Sequence, residues 1–302
     1  MRRSSMSQWE RGDALRDKVF SRLEAIDDLP SLPAVIAKLS EAIQNVDSSA
    51  AEVARIMEDD PSIMARVLKI VNSAFYSRSD SIEKITDIRH AIVRLGYDAV
   101  RNIALTSSVF SIFKEDHAAI FDRQAFWKHC ICTGITANIL REGVKDGERI
   151  PKESVALAGL LHGMGKIVLE QYFYDLFTEM LQESESQQKS LLEVQKEAFG
   201  ITHCEIGAWL AKQWKLGDEF VASIEFYGEP ERAPEELRPL VSLVNVADTI
   251  CTEHQLGHDG SPVPKTHDDA VWESLGLDPR FVESTMETIL QESEKSEILL
   301  SL

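Results

Sequence analysis

Apolar residues recur at every third and fourth position along almost the whole chain. Leu32, Val35, Ile36, Leu39, Ala42 and Ile43 keep this spacing, and Pro33 after Ser31 marks a favoured helix start. Ser49-x-x-Glu52 has the spacing of a capping box for the next helix. Asp60-Pro61 then supplies an N-cap followed by proline in the first turn, with Ile63, Met64, Val67, Leu68 and Val71 as the stripe to be buried. Ile82, Ile85, Ile88, Ala91, Ile92 and Leu95 continue the pattern to a glycine stop at Gly96, after which Val100, Ile103, Ala104, Phe110 and Phe113 build another helix. At least five helices are predicted before Lys114.

No segment alternates with period two between hairpin turns, so the pattern predicts an all-α fold. Glycine use divides the chain, since Gly12 and Gly96 are the only two before Gly134 and thirteen lie between Gly134 and Gly276. With the polar run Lys114-Glu115-Asp116-His117, this places a boundary near residue 116. The expected organisation is an extension over 1–21, an N-terminal lobe of about five helices over 22–116, and a larger helical lobe with C-terminal helices over 117–302. Helices in the second part are expected at about 122–141, 152–162, 165–181, 186–199, 203–214, 218–227, 235–255, 267–275 and 279–300. The junction has no Gly/Ser- or Pro-rich linker, so the two lobes should move as one.

With 44% hydrophobic residues, the 302-residue chain can fill a sizeable core. Its 32 basic residues against 50 acidic ones give a net charge of −18, which disfavours long-range attraction to nucleic acid or anionic lipid. No run approaches the roughly 20 apolar residues of a membrane span, and Met1–Asp13 is too polar for a signal peptide, so a cytoplasmic location is expected. Cys130, Cys132, Cys204 and Cys251 lie in apolar helical patterns without CxxC spacing and read as buried thiols rather than metal ligands.

Four ordered motifs carry a resemblance to a known family: Leu29-Pro30-Ser31-Leu32-Pro33, Asp59-Asp60-Pro61-Ser62-Ile63, Val71-Asn72-Ser73-Ala74-Phe75-Tyr76 and Ala91-Ile92-Val93-Arg94-Leu95-Gly96. Over roughly residues 22 to 255 the chain resembles the HDOD family, a bacterial signalling module related to the HD and HD-GYP phosphohydrolases. The resemblance implies an N-terminal helical bundle packed on an HD-like helical lobe, without catalysis. It makes Asp60, Pro61, Asn72, Phe75 and Tyr76 the candidate partner surface. From the residues alone, Asn72 reads as a helix-end hydrogen-bonding residue and Phe75-Tyr76 as an aromatic lock between helices.

The run Gly159-Leu160-Leu161-His162-Gly163-Met164-Gly165-Lys166 resembles the "LLHDIGK" segment of HD hydrolases with its aspartate removed. In that superfamily the aspartate bridges two metal ions, work that needs two carboxylate oxygens and that Gly163 cannot do. By the same resemblance His129, His162 and Asp248 match three ligands, His203 a further histidine of the two-metal relatives, and Lys166 a lysine that faces phosphate. Tyr227-Gly228 stands where those relatives carry a histidine pair.

Two imidazoles and a carboxylate could hold a single divalent metal ion, or could persist as a buried hydrogen-bonded cluster. His203 could be a ligand or a packed helix-terminal residue, and Lys166 an anion-binding or a solvated surface lysine. Trp127, Trp209 and Trp214 read as core. The function expected is a non-catalytic signal-transduction module that binds a protein partner or small regulatory ligand, with no cofactor. The alternative is a weak or altered metal-dependent phosphohydrolase using His129, His162 and Asp248.

Overall fold

The computed structural model describes residues 8–26, 38, 50–58, 61–72, 85–112, 121–150, 152–264 and 268–295. The described regular structure is helical and contains no strand, as the hydrophobic pattern predicts. The stripe at 32–43, Asp60, Phe75, Tyr76 and the boundary near 116 lie outside the described residues.

In the N-terminal lobe, α1 spans Gln8–Glu24, α2 Ala50–Glu58, α3 Pro61–Val71, α4 Ile88–Leu95 and α5 Tyr97–Ile112. Helices α2 to α5 pack on one another through Val53, Met57, Ile63, Val67, Ile88, Ile92, Val100 and Ile103. Within the described part of the stripe expected from Ile82 to Leu95, the helix starts at Ile88 and Ile85 lies before it. Asp87 starts that helix by accepting a hydrogen bond from the His90 N–H at 2.8 Å, a cap of about 1 kcal/mol. Ile85 is buried without being helical, because Asn72 takes over its backbone pairing. The Asn72 amide donates to the Ile85 carbonyl at 2.7 Å and accepts from the Ile85 N–H at 2.8 Å, while also donating to Leu68 O at 2.8 Å. Asn72 therefore ties the end of α3 to the approach to α4.

The second lobe is built from α6 (Arg123–Leu140), α7 (Lys152–Leu161), α8 (Met164–Tyr172), α9 (Tyr174–Gln187), α10 (Leu191–Val194), α11 (His203–Gln213), α12 (Asp218–Phe226), α13 (Arg238–Glu253), α14 (Asp269–Leu275) and α15 (Pro279–Lys295). Helix α6 is the central member, with α7, α13 and α15 against it. A helix expected over 165–181 bends at Phe173 instead, where φ −135° and ψ 42° leave the helical region. Flanking hydrogen bonds survive the bend, Phe173 N–H to Leu169 O and Phe177 N–H to Phe173 O both at 2.8 Å, so no glycine or proline is needed and the apolar pattern gives no warning. Gly134 and Gly159 let α6 and α7 cross backbone on backbone, since a Cβ at 159 would lie 2.6 Å from the Gly134 Cα.

Helix α5 packs on α7, joining the lobes through one continuous core. Within the expected extension over 1–21, the described part from Gln8 onward packs on the second lobe. Helix α1 buries Val19 and Leu23 and sets Gly12 against Gly200, where a Cβ added to Gly12 would lie 3.2 Å from the Gly200 Cα. Arg16 pairs with Glu205 at 2.5 Å, and the Arg22 guanidinium sits 5.2 Å from the Phe173 ring.

Candidate functional site

Three helices bring the candidate ligands together. Helix α6 starts at Asp122, whose carboxylate accepts from the Ala125 N–H at 2.9 Å, and carries His129 two turns in. His162 follows the end of α7, and Asp248 lies on the buried face of α13. One donor atom from each of His129, His162 and Asp248 falls within 4.8 Å of the others, and all three side chains are buried.

Hydrogen bonds orient the two imidazoles differently. His162 Nδ1 lies 2.5 Å from Gly159 O, and a carbonyl can only accept, so the proton is on Nδ1. Its Nε2 is left with a lone pair facing Asp248 Oδ1 at 3.5 Å, the tautomer a metal ligand needs. His129 Nε2 instead sits 2.7 Å from the same carboxylate oxygen, a direct hydrogen bond. Thr133 back-bonds to His129 O at 2.9 Å and fixes this turn of α6. His129, His162 and Asp248 thus form a candidate site for one divalent ion, which His129 would join by giving up the hydrogen bond from Nε2 to Asp248.

The ground beside it is filled by side chains. The Tyr227 ring packs edge-on against His162 at 4.8 Å between centroids, and its hydroxyl reaches His203 Nε2 at 2.6 Å. A Cβ on Gly163 would meet Phe126 Cζ at 2.7 Å and Cε2 at 3.1 Å, so the phenyl ring occupies the space into which a residue-163 side chain would project. Burial, followed by nearby Cys204 and Asp259, pushes the Tyr227 phenol well above its usual range, which keeps it a neutral donor.

His203 joins the tyrosine, not the metal cluster. A capping box between Thr202 and Glu205 makes His203 the first residue of α11. Its backbone N–H donates to Gln195 Oε1 at 3.0 Å, which fixes that amide oxygen as an acceptor, and His203 Nδ1 donates to the same atom at 2.6 Å. Nε2 is therefore the acceptor for the Tyr227 hydroxyl. Gln195 opens a single π-helical turn, Gln195–Phe199, which turns it inward. Asn245, one turn before Asp248, donates to Tyr227 O at 2.7 Å.

Lys166 corrects both readings given to it. It is 2% exposed, and its ammonium donates to Asp259 O at 2.6 Å and approaches Asp259 Oδ2 at 3.3 Å, so it is neither a surface lysine nor directed at an open anion site. Burial alone would raise the Asp259 carboxyl, but Lys166 first, then His129 and the Ser261 N–H, bring it below its usual value. A second buried pair, Arg123 with Glu170, joins α6 to α8 at 2.8 Å through the guanidinium Nε. Burial likewise raises the thiols of Cys130 and Cys251, the latter to about 12. Cavities of about 530 and 620 Å³ open elsewhere, and neither is lined by His129, His162, Lys166 or Asp248.

Sequence reasoning identified His129, His162 and Asp248 as a group. It missed Phe126 as the filler beside Gly163, together with Gln195, Asn245 and Asp259. Only Asn245 leaves a local signal, a polar residue three positions before Asp248 on the same apolar helix.

A profile of the HDOD domain matches residues 29–230. The chain belongs to the HDOD domain family. An uncharacterised protein of Treponema pallidum (strain Nichols) is 26% identical over 227 residues, covering 74% of this chain, which in turn spans 42% of that relative's length. In fold, the chain is similar to an HDOD domain protein of unknown function from Geobacter sulfurreducens, with TM-score 0.76, 23% identity, and coverage of 97% of this chain and 99% of that one. A Shewanella amazonensis SB2B protein provisionally named a metal-dependent phosphohydrolase gives TM-score 0.65 at 20% identity, covering 96% and 99% of the two chains. The module is thus an HDOD domain, and no described helix is long and apolar enough to cross a membrane.

Proposed function

We propose that this chain is a non-catalytic HDOD signalling module of the cytoplasm, in which the hydrolase-like centre has become part of the core and the work is recognition of a protein partner or small regulatory ligand. One observation carries this reading: Tyr227 and Phe126 pack against His162 and Gly163, so the space that a two-metal hydrolase keeps for a second ion, water and substrate is filled. The burial of His129, His162, Lys166 and Asp248 supports it, because a phosphodiester needs an open position at the metal. Recognition then falls to the surface, and the N-terminal lobe, with the family motifs around Pro61, Asn72 and α4, is the preferred region.

The convergence of His129, His162 and Asp248 favours one second reading, a single-metal phosphohydrolase. A divalent ion held there would supply Lewis acidity and an acidified water. The deciding experiment is metal analysis of chelator-free protein together with assays on cyclic dinucleotides and bis(4-nitrophenyl) phosphate with added manganese, iron or magnesium. No turnover is expected. Turnover lost in both His129→Ala and His162→Ala would establish the hydrolase instead.

A further inference from the structure

Two large apolar side chains stand out in solvent among the described residues, and they lie on faces of opposite charge. Val93 is 80% exposed and Leu290 is 40% exposed. Val93 lies on the outer face of α4, one turn after exposed Arg89 and beside exposed Arg94, while Ile88, Ala91 and Ile92 face the core. Leu290 lies on the outer face of α15, in a stripe with exposed Glu283, Glu287 and Glu294 at helical spacing, while Val282, Ile289 and Ser293 face inward. The described helices α3, α4 and the start of α5 run against the rest of the protein in charge: residues 61–72 and 85–101 hold five Lys and Arg against two Asp and Glu in a chain of net charge −18.

We propose that these are the two halves of one contact, with the α15 stripe of one copy of this chain docking on the α4 face of a second copy. Each half offers an apolar knob whose nearest exposed charges on its own helix, Arg89 and Arg94 for Val93 and Glu287 and Glu294 for Leu290, share one sign, and the two signs are opposite. Pairing α4 with α4 would set arginine against arginine, and α15 with α15 glutamate against glutamate, so charge disfavours a two-fold arrangement through either face. The association is head-to-tail and leaves a free α4 face and a free α15 face at its ends, so it grows with concentration and does not stop at a dimer. One helix face per partner falls short of the roughly 1,000 Å² of a stable interface, so the contact is weak. Exposed charges are screened over about 10 Å at 0.1 M salt, so it weakens further as salt rises.

Sedimentation equilibrium of the full chain tests this, over a concentration series up to the solubility limit in low and high salt. The weight-average mass should rise with concentration in low salt and return to the monomer value in high salt. Arg89→Glu with Arg94→Glu, or Glu283→Lys with Glu287→Lys, should each shift the rise to at least about tenfold higher concentration, because two attractions become two repulsions. An equimolar mixture of the two variants should recover the parental curve, since each now presents the face that the other lacks. All four positions are exposed, and unchanged circular dichroism would confirm that the variants fold. Val93→Ser and Leu290→Ser test the apolar half without altering charge, and each should weaken the association. A parent chain that stays monomeric, reversals that leave the curve unchanged, or a mixture that fails to recover it would overturn the proposal and assign these faces to other partners.

Discussion

The Tyr227 hydroxyl donates to His203 Nε2 across 2.6 Å, in a buried chain that begins at the Gln195 amide oxygen. Each member has one available role: Gln195 Oε1 accepts, His203 Nδ1 donates, Nε2 accepts, and the phenol donates. Tyr227→Phe removes the phenol donor and leaves the buried His203 Nε2 to the weaker Cys204 thiol, 3.5 Å away. The expected cost is about 1–3 kcal/mol, read from urea unfolding as a lower midpoint at unchanged slope. An unchanged midpoint would mean that the Cys204 thiol or a water replaces the hydroxyl, and that the phenol's hydrogen bond does not hold this part of the core together.

Gly163→Asp restores the residue of the hydrolase pattern, yet here it should destabilise. The new Cβ would lie 2.7 Å from Phe126 Cζ, and Phe126 is fully buried and cannot step aside into solvent. Overpacking of this kind costs about 1–3 kcal/mol. Phe126→Ala alone should cost about 3–5 kcal/mol, and the double variant less than the two costs combined, because the carboxylate would use the vacated space. Strict additivity in a denaturation cycle would show that the ring and the 163 side chain do not compete.

The helical class was legible because burial on one face of a helix writes itself every three to four residues, as in Ile63, Val67 and Val71. The grouping of His129, His162 and Asp248 was legible through family resemblance alone, because their positions on α6, just after α7 and on α13 leave no local pattern. What escaped was supplied by distant side chains. Asp259 lies 93 residues from Lys166, and a lysine near a helix start reads as exposed until its partner is known. The break at Phe173 escaped because the backbone kept its hydrogen bonds through the bend.

Metal uptake should separate the two histidine pairs. Chelator-stripped protein is expected to take up no more than one equivalent of zinc or manganese in calorimetry, through His129, His162 and Asp248. His162→Ala should remove that uptake. His203→Ala should leave it intact, because the lone pair on His203 Nε2 is engaged by Tyr227. Loss in His203→Ala alone would move the site to the other side of the tyrosine.

The Lys166–Asp259 pair should behave as a buried ion pair whose value shows when it is broken. Lys166→Met leaves a carboxylate buried without its cation, and Asp259→Asn leaves an ammonium with only the neutral carbonyl of residue 259 and an amide. Either change should cost about 3–5 kcal/mol at pH 7, whereas the double variant should cost distinctly less than the two combined, because no net charge remains buried. The pH dependence has a definite sign. The Asp259 carboxyl is held below its reference value of 3.8 in the folded protein, so its contribution is fully present above that value and is lost as pH falls through the lower folded one. The stability gap between the parent and Asp259→Asn should therefore be constant from pH 7 down to about pH 5 and narrow only below pH 4. A gap that narrows between pH 7 and pH 5 would show that the folded carboxyl titrates there, contrary to an ion pair with Lys166.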